Sequence, residues 1–200
     1  EAPAYTVNKA CGSGLKTVSL ASQSIALSEA DCAVAGGMES MSRTPYLLSE
    51  QRWGARMGDS QVVDVLLQDG LRDTFINDHI GITAENIAEQ YDISRGEQDE
   101  FAYRSQCKAV EASREGRFSE EIVPITIPQR KGDPLVFCAD EHIRENTTME
   151  KLAMLKPAFT KEGTVTAGNA SGINDGAACV MLASEEFIKE HGIKPLVKLV

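Results

Sequence analysis

The residues most able to do chemistry lie near the start of the chain, in Asn8-Lys9-Ala10-Cys11-Gly12-Ser13-Gly14-Leu15-Lys16. Ahead of this string, Ala4-Tyr5-Thr6-Val7 reads as a short strand. Behind it, Leu15, Val18, Ile25 and Leu27, with Ala21 and Ala26 between them, recur at helical spacing. Cys11 is therefore expected at or just before a helix N-terminus, where unpaired backbone N–H groups and the helix dipole favour negative charge. Gly12 and Gly14 are expected to let the chain turn sharply and leave the sulfur open to a substrate. The alternative is a small buried residue, as free cysteines usually are.

A second stretch is built for close approach. Gly163-Thr164-Val165-Thr166-Ala167-Gly168-Asn169-Ala170-Ser171-Gly172 strings together small residues that let backbone or ligand come near, with Thr, Asn and Ser to supply hydrogen bonds. Of the three histidines, His191 precedes Gly192 and reads as a helix-end cap, and His142 lies in a polar, solvated stretch. His79 either lines a pocket or is an ordinary hydrogen-bonded loop histidine.

The elements that must position these groups read as follows. A strand at residues 5–9, a helix from about residue 13 to 29 and an apolar strand at residues 31–37 form a strand-helix-strand unit, expected in a parallel sheet covered on both faces. From residue 43 onward charged residues rise and the regular rhythm stops. A short helix begins near Thr83. Ser94 and Glu97 form a capping box for a helix reaching Glu115, with Gly116 as its stop and Phe101, Ala102, Ala109 and Ala112 on its inner face. Residues 122–127 and 135–138 read as strands around the turn Arg130-Lys131-Gly132-Asp133. An apolar strand at residues 179–183, a helix capped by Ser184 and a final strand at residues 195–200 complete the pattern.

The composition narrows the function classes. Two hundred residues suffice for a core without staples, and a net charge of −10 argues against nucleic acid or an anionic membrane as partner. No apolar run approaches a membrane span. Five cysteines in odd number, without disulfide-type or metal-type spacing, point to reduced thiols in a cytoplasmic setting and to no bound metal. The chain opens and closes inside apparent strands, from which an internal piece of a longer protein is expected.

The segment around Cys11 resembles the active-site segment of the thiolase family, where an upstream asparagine leads into the acyl-accepting cysteine and a glycine-serine-glycine turn. The string around Ser171 is similar to a thiolase signature, and the likeness extends over essentially the whole chain. It implies an α/β fold: part of the layered α-β-α-β-α thiolase core with an inserted α+β loop domain. Residues 1–42 would belong to the N-terminal core domain, 43–160 to the loop domain that covers coenzyme A, and 161–200 to the return into the core. Cys11 would carry the acyl group. Leu71 and His79 would line the acyl and pantetheine site, with Ile80 standing where the family usually has methionine. Ala158 and Phe159 would pack on the pantetheine, Ala167 and Ala170 would line its tunnel, and Ser171 would hydrogen-bond it. Arg144 matches the family's arginine near the adenosine end, and Lys151 and Lys156 are further candidates for the phosphates.

The implied activity is condensation of two acetyl-CoA to acetoacetyl-CoA and coenzyme A, reversible as thiolysis, with coenzyme A thioesters as substrates and no cofactor. Broad-range 3-ketoacyl-CoA thiolysis and a non-catalytic coenzyme A-binding module are the alternatives. Ketoacyl synthases share the fold, but the turn after Cys11 is less like theirs. A homo-oligomer is expected, with residues 51–67 helping to join dimers into tetramers. In the family the activating histidine, a second acid/base cysteine and a water-binding asparagine come from a C-terminal half that this sequence lacks. The 200 residues alone are therefore expected not to turn over.

Overall fold

The computed structural model describes residues 2–200. In chain order its elements are α1 (Ser13–Ala26), β1 (Cys32–Ser40), β2 (Tyr46–Leu47), β3 (Val63–Asp64), β4 (Arg72–Asp73), β5 (Asp78–His79), α2 (Ile80–Gln90), α3 (Arg95–Arg114), β6 (Ile125–Ile127), β7 (Leu135–Phe137), α4 (Met149–Ala153), β8 (Asp175–Ala183) and α5 (Glu185–His191). They gather into two compact units. One runs up to Gly70 and includes Ile173–Val200; the other is Leu71–Gly172.

The first unit is organised on β1 and β8, which pair along their full length from Cys32↔Ala183 to Ser40↔Asp175. The pairing is antiparallel, which corrects the expected parallel sheet. A continuous apolar run reports how a strand is covered, not which way its neighbour points. Here the neighbour returns from the far end after the second unit. Residues 5–8 form no strand, another departure, because a strand exists only against a partner and no ladder forms there. Residues 195–200 likewise form no strand, and Leu196 is fully exposed.

Helix α1 lies on one face of this ribbon. Thr17 Oγ1 donates to Gly36 O at 3.0 Å, and a Cβ built on Gly37 would stand 3.2 Å from Gly14 Cα. Alternation along β1 sends Ala33, buried Ala35 and Gly37 toward α1 and leaves Val34 and Met38 exposed on the opposite face. Leu15 is 82% exposed, contrary to its expected place in the apolar stripe, because it lies beside the face that Gly14, Thr17 and Val18 turn to the sheet. At the mouth of the ribbon the Ser42 hydroxyl and N–H both donate to the Asp175 carboxylate. The hydroxyl bond first, and the N–H bond after it, hold the Asp175 carboxyl below its ordinary range.

In the second unit β4 and β5 form a hairpin with Arg72 opposite His79. Its turn is fixed by Asp73 Oδ1, which accepts from Phe75 N at 2.7 Å and Ile76 N at 3.1 Å. Helix α2 follows without a break and starts at Ile80, three residues before the expected point, because His79 itself is the N-cap. Helix α3 carries the expected capping box of Ser94 and Glu97. Of its expected inner face, Ala112 is buried and Ala102 and Ala109 are half-buried, but Phe101 is 78% exposed and Asp99, not expected there, is buried. Two positions beyond Asp99 is roughly 200° around the helix, which puts Phe101 on the far side. The β6–β7 hairpin turns at Gly132 (φ +85°) where glycine suits the left-handed conformation.

Candidate active site

Cys11 belongs to the first unit, and its neighbourhood is built from local bonds. Asn8 Oδ1 accepts from Ala10 N at 3.0 Å. Ser13 Oγ accepts from Lys9 N at 2.8 Å and donates to Ala10 O at 2.7 Å, so one hydroxyl braces the turn on both sides of the cysteine. The sharp bend falls on Ala10, at φ +47°, and not on Gly12, whose φ is −86°. A non-glycine residue in the left-handed region stores about 1–3 kcal/mol of strain, a cost met where surrounding bonds over-determine the backbone. The close approach of α1 to the ribbon depends instead on Gly37, where a Cβ would stand 3.2 Å from Gly14 Cα, whereas a Cβ on Gly14 would make only ordinary contact at 3.9 Å. Cys11 is exposed, which removes the buried-residue alternative. The N–H groups of Gly12 and Ser13 already donate to Lys9 O and Ala10 O, both at 3.1 Å, so neither is spare for a ligand of the sulfur.

All other sequence-predicted residues belong to the second unit. His79 Nδ1 accepts from Gly81 N at 2.9 Å, which places the ring proton on Nε2. The His79 ring stacks on Phe159, with centroids 4.7 Å apart and planes at 27°. Gly81 is required beneath that stack, since a Cβ there would run into the Phe159 ring. Leu71 is half-buried and immediately precedes Arg72, the hairpin partner of His79.

Ala158 and Phe159 are tied to the small-residue stretch by Ala158 N donating to Val165 O at 2.9 Å and by a bridge between Pro157 and Thr166. Thr166 is wholly buried, after which Ala167, Ala170 and Ser171 emerge to the surface. The Ser171 hydroxyl donates to Gly172 O at 3.2 Å.

Of the three candidate cations Lys156 is exposed, and the other two lie differently. Arg144 lines an open cavity of about 470 Å³ with Tyr103, Cys107, Glu111, Arg114 and Glu145, and Arg114 pairs with Glu145 at 3.2 Å. Lys151 Nζ donates to Asn146 O at 2.6 Å, a bond that spends one of its protons on the loop before α4. His142 is exposed, and His191 Nδ1 bonds Phe187 O at 3.0 Å at the end of α5.

Sequence reasoning missed the side chains that hold residues 163–171 in place. Glu85 of α2 accepts from Thr164 N (3.1 and 2.9 Å), Val165 N (3.0 Å) and Thr164 Oγ1 (2.9 Å). Partial burial pushes the Glu85 carboxyl up, but the N–H bonds from Thr164 and Val165 and the Thr164 hydroxyl outweigh it and hold the group below its ordinary range. Asp99, 2% exposed, accepts from Arg95 Nε at 2.8 Å and Asn169 Nδ2 at 3.0 Å. Asn169 also donates to Thr164 O at 3.1 Å and accepts from Thr166 N at 2.7 Å, closing the loop upon itself. Arg95 in turn donates to the carbonyls of Leu152 and Leu155. In the sequence Glu85 and Asp99 look like solvated helix charges, and nothing local marks them.

Residues 1–186 match the family described as "Thiolase, N-terminal domain". A Staphylococcus aureus (strain COL) relative named "Probable acetyl-CoA acyltransferase" is 58% identical over 197 residues, covering 98% of this chain and 50% of that protein. The crystal structure of the Bacillus anthracis acetyl-CoA acetyltransferase matches with a TM-score of 0.90 at 47% identity, over 96% of this chain and 48% of that one. The acetyl-CoA acetyltransferase from Syntrophomonas wolfei matches with a TM-score of 0.91 at 46% identity, over 95% and 47%. The chain spans about half the length of the curated relatives it matches.

Proposed function

The chain belongs to the thiolase family and has its α/β fold, and from that premise we propose that the full-length gene product transfers acetyl groups between coenzyme A thioesters through Cys11. The exposed cysteine on a braced, left-handed turn is the observation that carries this reading. The Cys11 sulfur, deprotonated, attacks the thioester carbonyl of acetyl-CoA; the carbon–sulfur bond to coenzyme A breaks, and the departing thiolate takes a proton. A second acetyl-CoA then loses a methyl proton to a base, and its carbanion attacks the acetyl-cysteine carbonyl. A carbon–carbon bond forms, the Cys11 sulfur leaves, and acetoacetyl-CoA is the product. Two acetyl-CoA have become one acetoacetyl-CoA and one coenzyme A, and thiolysis is the same path reversed.

The second unit would hold the thioester arm. Phe159 stacked on His79 offers an apolar wall with one N–H donor, His79 Nε2. Leu71, Ala158, Ala167 and Ala170 offer small apolar contacts, and Ser171 a hydroxyl. Arg144 is the cation assigned to the adenosine end, and Lys151 the weaker candidate beside it. Coenzyme A thioesters are substrates in this scheme, and it calls on no cofactor. No residue of this chain is assigned the role of base. We also propose a reducing, cytoplasmic setting, supported by the odd count of free cysteines, and a homo-oligomer, which rests on the family resemblance alone.

A broad-range 3-ketoacyl-CoA thiolase is the second reading, favoured by the acyltransferase name of the 58% identical relative. The test is acetoacetyl-CoA formation from acetyl-CoA by the full-length gene product and its Cys11→Ala variant, together with thiolysis of acetoacetyl-CoA and of a long-chain 3-ketoacyl-CoA. Condensation abolished in the variant, with a preference for the four-carbon substrate, is the expected result. Efficient thiolysis of the long chain selects the second reading. Coenzyme A binding without acyl transfer identifies a non-catalytic module.

A further inference from the structure

Three groups of residues given roles in thioester binding sit on different segments: His79 at the head of α2, Ala158 and Phe159 after α4, and Ala167 to Ser171 on the small-residue loop. One side chain is bonded where these segments meet. Glu85 lies on α2, a turn and a half beyond His79. Its carboxylate takes the N–H groups of Thr164 and Val165 together with the Thr164 hydroxyl. Val165 in turn accepts from Ala158 N, and Thr166 bridges Pro157. The carboxylate thus docks the piece of backbone from which both Phe159 and Ser171 take their positions onto the helix that carries His79. The chain makes room for this: a Cβ on Gly163 would run into Glu85 Oε1 and Thr160 Oγ1, so any other residue there would push the carboxylate from its present place.

We infer that Glu85 is a positioning residue for the thioester arm, setting the register between the His79–Phe159 stack and the loop that ends at Ser171. The inference rests on the proposed function, in which those groups bind the pantetheine. Glu85 touches no reacting atom and acts only through the backbone it holds. A carboxylate suits the task because it is acceptor-only and can take several N–H and O–H bonds at once, whereas a glutamine would offer its NH2 to a backbone N–H and lose at least one of them.

The test compares Glu85→Gln with the unaltered full-length gene product in acetyl transfer from acetyl-CoA, with KM and kcat measured separately. Misplacement of the arm-binding loop is expected to raise KM for acetyl-CoA about tenfold while kcat stays within about twofold, the signature of lost substrate binding. Thr164→Val, which removes the hydroxyl's bond to Glu85 and the one it accepts from Gln98 and leaves the backbone bonds, is expected to raise KM by about threefold. If Glu85→Gln does not fold, Thr164→Val decides alone. An unchanged KM in the folded variants, or a fall in kcat with KM unchanged, overturns the inference and reduces Glu85 to a general contributor to folding. If the unaltered protein transfers no acetyl group, the proposed function fails first.

Discussion

The turn that presents Cys11 and the loop that presents Ser171 are both short, rich in small residues and exposed at their tips, yet they are held by opposite means. The cysteine turn is braced from within six residues: Asn8, Lys9, Ala10 and Ser13 bond one another, and the distant contacts come only with the helix that follows, where Gly14 approaches Gly37 and Thr17 bonds Gly36, among the described residues. The serine loop is held from afar, by Glu85 on α2 and by Asp99 and Gln98 on α3, which reach it across 66 to 80 positions of sequence. Under the proposed function Cys11 must stand free of its surroundings, and its own backbone fixes it, whereas the loop proposed to bind the pantetheine is several residues long and takes an external frame.

The contrast can be broken most forcefully at Asp99. Asp99→Ala strips a buried carboxylate from Arg95 and Asn169 and is expected to lower unfolding stability by about 3 kcal/mol. Urea titration reads this directly, and a loss under about 1 kcal/mol would show that the frame is not needed. Ser13→Ala, which removes both braces of the cysteine turn at once, should cost only about 1 kcal/mol in the same titration but slow acylation of Cys11. A normal acylation rate in that variant would mean the turn keeps its shape without them.

Ala10→Gly sharpens the comparison by sign. Glycine relieves the left-handed backbone at Ala10, so stability should hold or rise by up to about 1 kcal/mol, whereas Ala21→Gly inside α1 should lower it by about as much. Equal losses at both positions would refute strain at Ala10. The smallest effect is one of pH. The folded Glu85 carboxyl sits below its ordinary range, so the stability it lends is complete above that range and is lost as the pH falls through the lower, folded value. Hydrogen exchange, corrected for its intrinsic pH dependence, should show the Thr164 and Val165 amides losing protection in acid. The Ala10 amide, bonded to the neutral side chain of Asn8, should not. Parallel loss at all three would assign the effect to general unfolding.

What could be read from the sequence follows the same division. The capping box of Ser94 and Glu97, the Ser184 cap and the helix after Cys11 were legible because each is written within a few residues. The direction of β8 against β1 was not, since apolar character says nothing about which way a strand returns. Hydrophobicity alone points Phe101 inward, but the inner face of α3 is shared by Ala112 and a polar residue, Asp99, whose partners Arg95 and Asn169 offset the cost of its burial. Glu85 and Asp99 escaped notice for that reason: a helical carboxylate is ordinarily a solvated charge, and only the fold reveals the backbone waiting for it. His79 stood in between. Its rarity in the chain marks the ring in the sequence, while the N-cap bond it accepts from Gly81 N is visible only in the fold.

The most direct measurement is the site of acylation. The full-length gene product, mixed briefly with isotopically labelled acetyl-CoA, quenched in acid and digested, should carry the labelled acetyl group on the peptide containing Cys11 and on none of those containing Cys32, Cys107, Cys138 or Cys179. Label should vanish in Cys11→Ala. An acetyl group found on another cysteine, or transfer to acetoacetyl-CoA that survives Cys11→Ala, would contradict the account.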